Sequence, residues 1–155
     1  MAVFLFHGQE EYLINKEIKK LKSELLDSSF ISMAYKVFDN PPFTTLLECI
    51  QSAPLMFGNT LSLISVEKYL VGNKLSLDDK QIESLDYALA NISPSVNIIF
   101  VCKIPRDDYK KPDSRKKLYK TLSKYSQVRE FVQYKTYQKE LNSQIMMRVL
   151  FPLTA

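Results

Sequence analysis

The chain has 155 residues, of which 46% are hydrophobic and 25% charged, a composition that suits one folded domain with its own core and argues against disorder. No apolar run approaches the ~18–20 residues of a membrane-spanning helix, and the opening MAVFLFHG lacks the basic region and cleavage site of a signal peptide. The net charge is +4, which favours an anionic partner without requiring one, and we expect a cytoplasmic protein with no membrane association.

The predicted elements begin with a strand and a helix. Val3–His7 is a short apolar run of the kind that forms a buried strand. Apolar residues then recur at spacings of four, three and four, on one face of a helix: Ile14, Ile18, Leu21 and Leu25. Residues 34–39 (AYKVFD) predict a second strand. Asn40 precedes two prolines, and we interpret it as the side-chain cap of a short helix with the apolar face Phe43, Leu46, Leu47 and Ile50.

The rest of the chain continues this alternation. Further strands are predicted at residues 60–67, 96–102 and 127–134. A loop is predicted at residues 69–76, and Ser76 with Asp79 resembles a capping box for the next helix, whose apolar face is Ile82, Leu85, Leu89 and Ile92. Two more helices are predicted, one from near residue 113 and one over residues 136–149.

Strands that alternate with helices of this length imply right-handed crossovers between parallel strands. We therefore predict a three-layer, P-loop-like α/β domain over residues 1–140, built on a mostly parallel five-stranded sheet with helices on both faces. Residues 141–155 are interpreted as a C-terminal helix or tail.

Cysteine and histidine are scarce in this chain. A zinc site needs about four ligands at short spacings, whereas the chain has two cysteines, far apart, and one histidine. We expect Cys49 and Cys102 to be buried free thiols, and we predict no metal site.

The loop between the first strand and the first helix, HGQEEY, occupies the position of a phosphate-binding loop. Such a loop needs several glycines, a lysine and a Ser or Thr hydroxyl, whereas here Gly8 stands alone and is followed by Glu10 and Glu11. Two carboxylates at a helix N-terminus satisfy its dipole and repel a triphosphate. We also interpret His7 and Glu67 as strand-end residues rather than a general base and a magnesium ligand. We therefore predict no catalytic residue and no cofactor, with an unusual nucleotide hydrolase as the alternative.

Five blocks of sequence follow one another in a recognisable order. FLFHGQEEYLINKEIKKL gives an apolar strand, a glycine, two acidic residues and a lysine-rich helix. AYKVFDNPPFTTLLECIQSAPLMFGNTLSLISVEK follows, and then NIIFVC, DSRKKLYKTLSK and VREF. This order resembles that of the delta subunits of the bacterial DNA polymerase III clamp loader, over about residues 3–140. The resemblance implies a degenerate AAA+ domain, which keeps the nucleotide-binding architecture without binding a nucleotide.

An apolar tip precedes the third predicted strand. Pro54 ends the helix and Gly58–Asn59 forms a turn, so that Leu55, Met56 and Phe57 stand on a short surface connection. The resemblance implies that this tip inserts into a hydrophobic pocket of the sliding clamp (the beta subunit), with Met56 and Phe57 as the anchors. The family often has Leu-Phe at these two positions, and methionine is a tolerable departure because it fills irregular pockets. Packing of the three side chains against the chain's own helices is the alternative.

The function that the resemblance implies is mechanical. A tip that binds the clamp better when the ring is open shifts the ring toward its open state, which helps to load the clamp on primed DNA during replication. The family forms part of a DNA-directed DNA polymerase, a nucleotidyltransferase, but no catalytic site is implied for this chain. Delta subunits continue into a lid domain and a collar that assembles with the other loader subunits. Residues 141–155 would be the truncated start of a lid if the sequence is a fragment, and a C-terminal tail if the chain is naturally short.

A basic stretch runs from Lys103 to Lys124, with nine Lys or Arg against three Asp. Basic residues on one face attract phosphates, and a DNA contact would use Lys110, Lys111, Arg115, Lys116 and Lys117. A solvated helix face that pairs with acidic neighbours is the plainer interpretation. A nucleic-acid-binding α/β domain is therefore a third candidate function.

Overall fold

The computed structural model of the chain describes residues 2–52, 58–71, 75–105 and 112–131. Five strands lie in these ranges: β1 (Ala2–Gly8), β2 (Tyr35–Asp39), β3 (Thr60–Ser65), β4 (Val96–Lys103) and β5 (Gln127–Phe131). The helices are α1 (Glu11–Leu25), α2 (Ile31–Ala34), α3 (Phe43–Ile50), α4 (Glu67–Leu70), α5 (Asp79–Ala90) and α6 (Lys117–Tyr125). The helix predicted at 136–149 and the end of the fifth predicted strand lie outside the described residues. No helix within these ranges has the length and apolar character to cross a membrane.

The strands form one sheet in the order β2-β3-β4-β1-β5, and every neighbouring pair is parallel. Parallel strands need a crossover of a dozen or more residues, which α1, α3, α5 and α6 supply in turn. β4 lies in the middle and is buried along nearly its whole length, because helices cover both of its faces. The predicted α/β domain with a five-stranded sheet is confirmed, and the sheet is parallel throughout.

The helices divide unequally between the two faces of the sheet. One core lies under α1 and includes Phe6, Ile14, Ile18, Leu61, Ile99 and Val101. The other lies under α3, α5 and α6 and includes Leu5, Leu46, Ile64, Leu85, Phe100 and Leu122. Full burial of such a side chain contributes about 1.5–3 kcal/mol to the stability of the fold. The two cores together therefore hold the sheet, and the ends of the loops attached to it, in a stable position.

Both cysteines are buried free thiols, as predicted. Burial, with a smaller contribution from the negative charge of Glu67, raises the pKa of Cys102 to about 12. Burial is also the main cause that raises the pKa of Cys49. Both thiols are therefore protonated near neutral pH and react slowly with electrophiles.

Asn40 caps a different helix from the predicted one. Pro42 occupies the N-cap position of α3 and makes no side-chain cap. The Asn40 side-chain oxygen instead accepts a hydrogen bond from the backbone N–H of Lys68, at 3.0 Å, in the first turn of α4. The parallel register of β2 and β3 pairs Asp39 with Ser65, which brings the two strand ends side by side. The prediction was wrong because this cap joins residues far apart in the sequence.

The cap of α5 lies two residues beyond the predicted one. The Asp78 carboxylate accepts a hydrogen bond from the backbone N–H of Gln81 at 2.8 Å, and the Gln81 side chain accepts one from the backbone N–H of Asp78 at 3.0 Å. The predicted box of Ser76 and Asp79 is therefore wrong. Gln81 has the longer side chain that reaches back to the N-cap, which Asp79 lacks.

Other boundaries also differ from the prediction. β3 ends at Ser65 and Glu67 begins α4, so the predicted strand was too long and the predicted loop began too early. α6 begins at Lys117, four residues after Asp113. α2 and α4 have four residues each, which is too short for a helical repeat of apolar residues to be visible in the sequence.

Candidate functional site

The loop after β1 and the described residues that flank the predicted tip lie at opposite edges of the sheet. All five strands point the same way, so their carboxyl ends share one edge, where β1 ends at Gly8 and β5 at Phe131. Residues 53–57 connect the end of α3 to the start of β3, and their described neighbours Ser52 and Gly58 therefore lie at the amino edge. The edge that would hold a nucleotide is therefore separate from the edge at which Ser52 and Gly58 lie.

The loop after β1 is closed against the end of β5. A single carbonyl, that of Phe131, accepts hydrogen bonds from the backbone N–H groups of Gln9 at 3.0 Å and Glu10 at 3.2 Å. Gly8 has φ +139°, and a Cβ at that position would lie 2.0 Å from the same carbonyl oxygen. A phosphate loop presents successive N–H groups to its ligand, whereas here two of those groups are directed to a neighbouring strand.

Acidic side chains occupy the space around this loop. Glu10 is the N-cap residue of α1 and is buried, and Glu11 follows it in the first turn. The Glu11 carboxylate lies 3.4 Å from the ammonium group of Lys103, at the end of β4. Lys103 is thus paired with a carboxylate. His7 is buried, and its ring centre lies 6.5 Å from that of Tyr119 in an edge-on arrangement.

The candidate magnesium ligand, Glu67, is a helix residue rather than a strand-end residue. It starts α4, and one of its carboxylate oxygens accepts a hydrogen bond from the side-chain amide of Asn40 at 3.2 Å. Within the part of the chain that the structure describes, no group of three or more His, Cys, Asp or Glu side chains is arranged to hold a metal ion. Glu67 therefore serves to fix the junction of β2, β3 and α4.

These contacts predict that millimolar ATP with magnesium leaves the melting temperature of the chain unchanged. A ligand at one hundred times its Kd stabilises a native protein by about 2.7 kcal/mol, which would shift the melting temperature of a domain of this size by several degrees. The measurement is a thermal melt with and without ATP, with magnesium alone as the control. A rise of several degrees with ATP would favour the nucleotide hydrolase.

The tip residues Leu55, Met56 and Phe57 lie outside the described residues. On one side of them, α3 packs through the buried side chains of Leu46 and Ile50. On the other side, Gly58 is exposed and has φ +89°, with nothing within 4 Å of an added Cβ. A turn there needs this left-handed conformation, which glycine adopts without strain.

A groove opens on the α3 face of the sheet, at its amino edge, and the sequence did not reveal it. It has a volume of about 270 Å³, and its lining includes Met33, Lys36, Cys49, Ser52, Thr60 and Ser62. Met33 comes from α2, and Met33 and Phe30 are 59% and 39% exposed. The short α2 that carries Met33 has no periodic signal in the sequence, which is why the groove was missed. We call this feature the amino-edge groove.

The basic stretch is largely paired with acidic neighbours where the structure describes it. Arg115 lies 3.2 Å from Asp113, Lys117 lies 3.2 Å from Asp79 of α5, and Lys116 donates to the Tyr69 carbonyl at 3.3 Å. Lys110 and Lys111 lie outside the described residues. Exposed pairs of this kind contribute little to stability, but a DNA phosphate would have to compete with each of them.

Three comparisons with known proteins agree with each other. A family model described as DNA polymerase III, delta subunit, matches residues 4–132. DNA polymerase III subunit delta of Bacillus subtilis (strain 168) is 28% identical over 145 residues, which cover 91% of this chain and 38% of that protein. The solved structure of the Bacillus subtilis DNA clamp loader delta protein (YqeN) matches with a TM-score of 0.77 and 18% identity, over 97% of this chain and 44% of that chain. This chain thus spans less than half the length of both relatives.

Proposed function

The chain belongs to the DNA polymerase III delta-subunit family, and from that premise we propose that it is the clamp-binding domain of a clamp loader. The family match carries this proposal, since it covers five-sixths of the chain. The fold supports it as well, because the match to the Bacillus subtilis clamp loader delta protein extends over 97% of this chain. The partner in this proposal is the sliding clamp, and the other loader subunits would be partners if a collar were present.

In this proposal the domain, residues 1–140, positions the apolar tip for binding. Leu55, Met56 and Phe57 bind a hydrophobic pocket of the clamp, with α3 as the support behind them. Two features favour binding over catalysis: the loop after β1 is closed by the Phe131 carbonyl, and Glu11 is paired with Lys103. Binding that is stronger to the opened ring shifts the ring toward the open state, so that loading needs no chemistry from this chain.

The affinity should be modest. Burial of two large apolar anchors contributes about 1.5–3 kcal/mol each, whereas a Kd of 1 μM requires about 8.2 kcal/mol. The remaining free energy must come from contacts around the tip, as at other interfaces in which a few residues dominate. We therefore expect micromolar binding by the domain alone.

The test is a calorimetric titration of the purified 155-residue chain into a bacterial sliding clamp. We expect saturable binding with a Kd of about 1–10 μM, in line with the estimate above. A single-chain protein of similar charge in place of the clamp serves as the control for non-specific association. A folded chain that shows no heat of binding at hundreds of micromolar clamp would contradict the proposed function.

A further inference from the structure

We propose that the amino-edge groove receives a side chain of the same clamp, which gives the interface a second pocket in addition to the tip. The direction of insertion is reversed: the tip enters the clamp, and the clamp enters the groove. This inference rests on the proposed clamp-binding function and adds a contact surface to it.

The size of the groove favours a protein side chain over a small molecule. Pockets that hold drug-sized ligands measure about 300–1,000 Å³, and the groove, at about 270 Å³, lies below that range. One large apolar side chain with part of its backbone would fill a space of this size. The groove is also open at the surface, where a neighbouring protein can reach it.

The lining of the groove suits a partner residue that has an apolar side chain and presents polar backbone groups next to it. Met33, Ala34 and Phe38 supply apolar surface, with Cys49 beside them. Ser62 also lines the groove and is only 9% exposed, and its hydroxyl can donate or accept a hydrogen bond. Lys36 and Glu48 are exposed, at the rim.

The position of the groove selects the clamp as its occupant. Ser52 and Thr60 both line the groove, and they stand on the two sides of the tip segment in the sequence. Ser52 directly precedes residue 53, and Thr60 follows Gly58 by two residues. A protein that holds the tip in a pocket therefore lies within side-chain reach of the groove. The exposed apolar side chains of Met33 and Phe30 extend the same surface.

The first test is protection of an introduced thiol. In Met33→Cys, the new thiol replaces a side chain that is 59% exposed, whereas Cys49 and Cys102 are buried. Alkylation with iodoacetamide therefore reports mainly on position 33. We expect saturating clamp to slow this alkylation at least fivefold. The matched control is Tyr12→Cys, because Tyr12 is 70% exposed and lies at the start of α1, on the carboxyl edge; its alkylation should not change.

The second test is a change of affinity in the same titration. Met33→Glu places a charge in the apolar wall and should weaken clamp binding at least fivefold, while Tyr12→Glu should change it less than twofold. If the wild-type chain binds the clamp but position 33 is unprotected and Met33→Glu binds normally, the groove proposal is wrong and the clamp-binding function stands. Equal protection at position 12 would also refute it. Absence of any clamp binding would overturn both proposals.

Discussion

Gly8→Ala is expected to destabilise the domain by about 2–6 kcal/mol. A strained backbone conformation costs about 1–3 kcal/mol, and φ +139° at Gly8 lies where side chains are strained. A forced clash in a packed interior costs about 1–3 kcal/mol more, and the added Cβ would lie 2.0 Å from the Phe131 carbonyl oxygen. Since small domains are stable by about 5–15 kcal/mol, this single methyl group could remove most of the stability.

The measurement is urea unfolding of wild type and Gly8→Ala, followed by circular dichroism. Gly58→Ala is the matched control, since Gly58 also has positive φ, at +89°, but no atom lies within 4 Å of its added Cβ. Gly58→Ala should lower the free energy of unfolding only through the strained backbone conformation, by about 1–2 kcal/mol. Equal destabilisation by the two variants would show that the Phe131 carbonyl lies farther from Gly8 than the structure places it.

The sequence predicted the regular elements well because both kinds of apolar pattern are strong here. β4 is a continuous apolar run because it is covered on both faces, and such runs indicate buried parallel strands. Ile14, Ile18 and Leu21 recur at helical spacing because α1 buries one face only. Patterns of this kind are local, so they can be read without knowledge of which strands are neighbours.

Several of the features that the sequence did not predict depend on contacts between distant residues. Asn40 meets Lys68 only because β2 and β3 are neighbours in a parallel register. The hydrogen bonds from Gln9 and Glu10 to Phe131 likewise require β5 to lie beside β1. The sequence could show that the phosphate loop lacks its glycines and lysine, but only the sheet order shows what the loop contacts in place of a phosphate.

The candidate site likewise has one feature that the sequence predicted and one that it did not. The prediction of a tip at Leu55, Met56 and Phe57 rests on three large apolar residues between a proline and a glycine, together with a family resemblance. The amino-edge groove could not be predicted, because Met33, Cys49 and Ser62 come from three elements that have no common sequence signal. The two proposals rest on different observations, so the groove proposal can fail while the clamp-binding function stands.

Phe57→Ala is expected to weaken clamp binding by at least tenfold and by up to about a hundredfold, with no loss of folding. Burial of one phenylalanine side chain contributes about 1.5–3 kcal/mol, and each 1.4 kcal/mol corresponds to a factor of ten in Kd. Met56→Ala should have a smaller effect of the same sign, because methionine adapts to its pocket and its loss is more easily accommodated. The measurement is the calorimetric titration against the sliding clamp.

Tyr12→Ala is the matched control for the loss of an aromatic side chain, because Tyr12 is 70% exposed and lies on the opposite edge of the sheet from Ser52 and Gly58. It should bind the clamp as the wild type does. The melting temperature of each variant separates a binding defect from unfolding. If the tip is a surface segment, as proposed, its substitution should change the stability by about 0.5 kcal/mol or less. If Phe57→Ala binds the clamp normally, Phe57 is not an anchor and another surface holds the clamp. If the melting temperature of the variant falls as it does on loss of a core side chain, Phe57 packs inside its own domain.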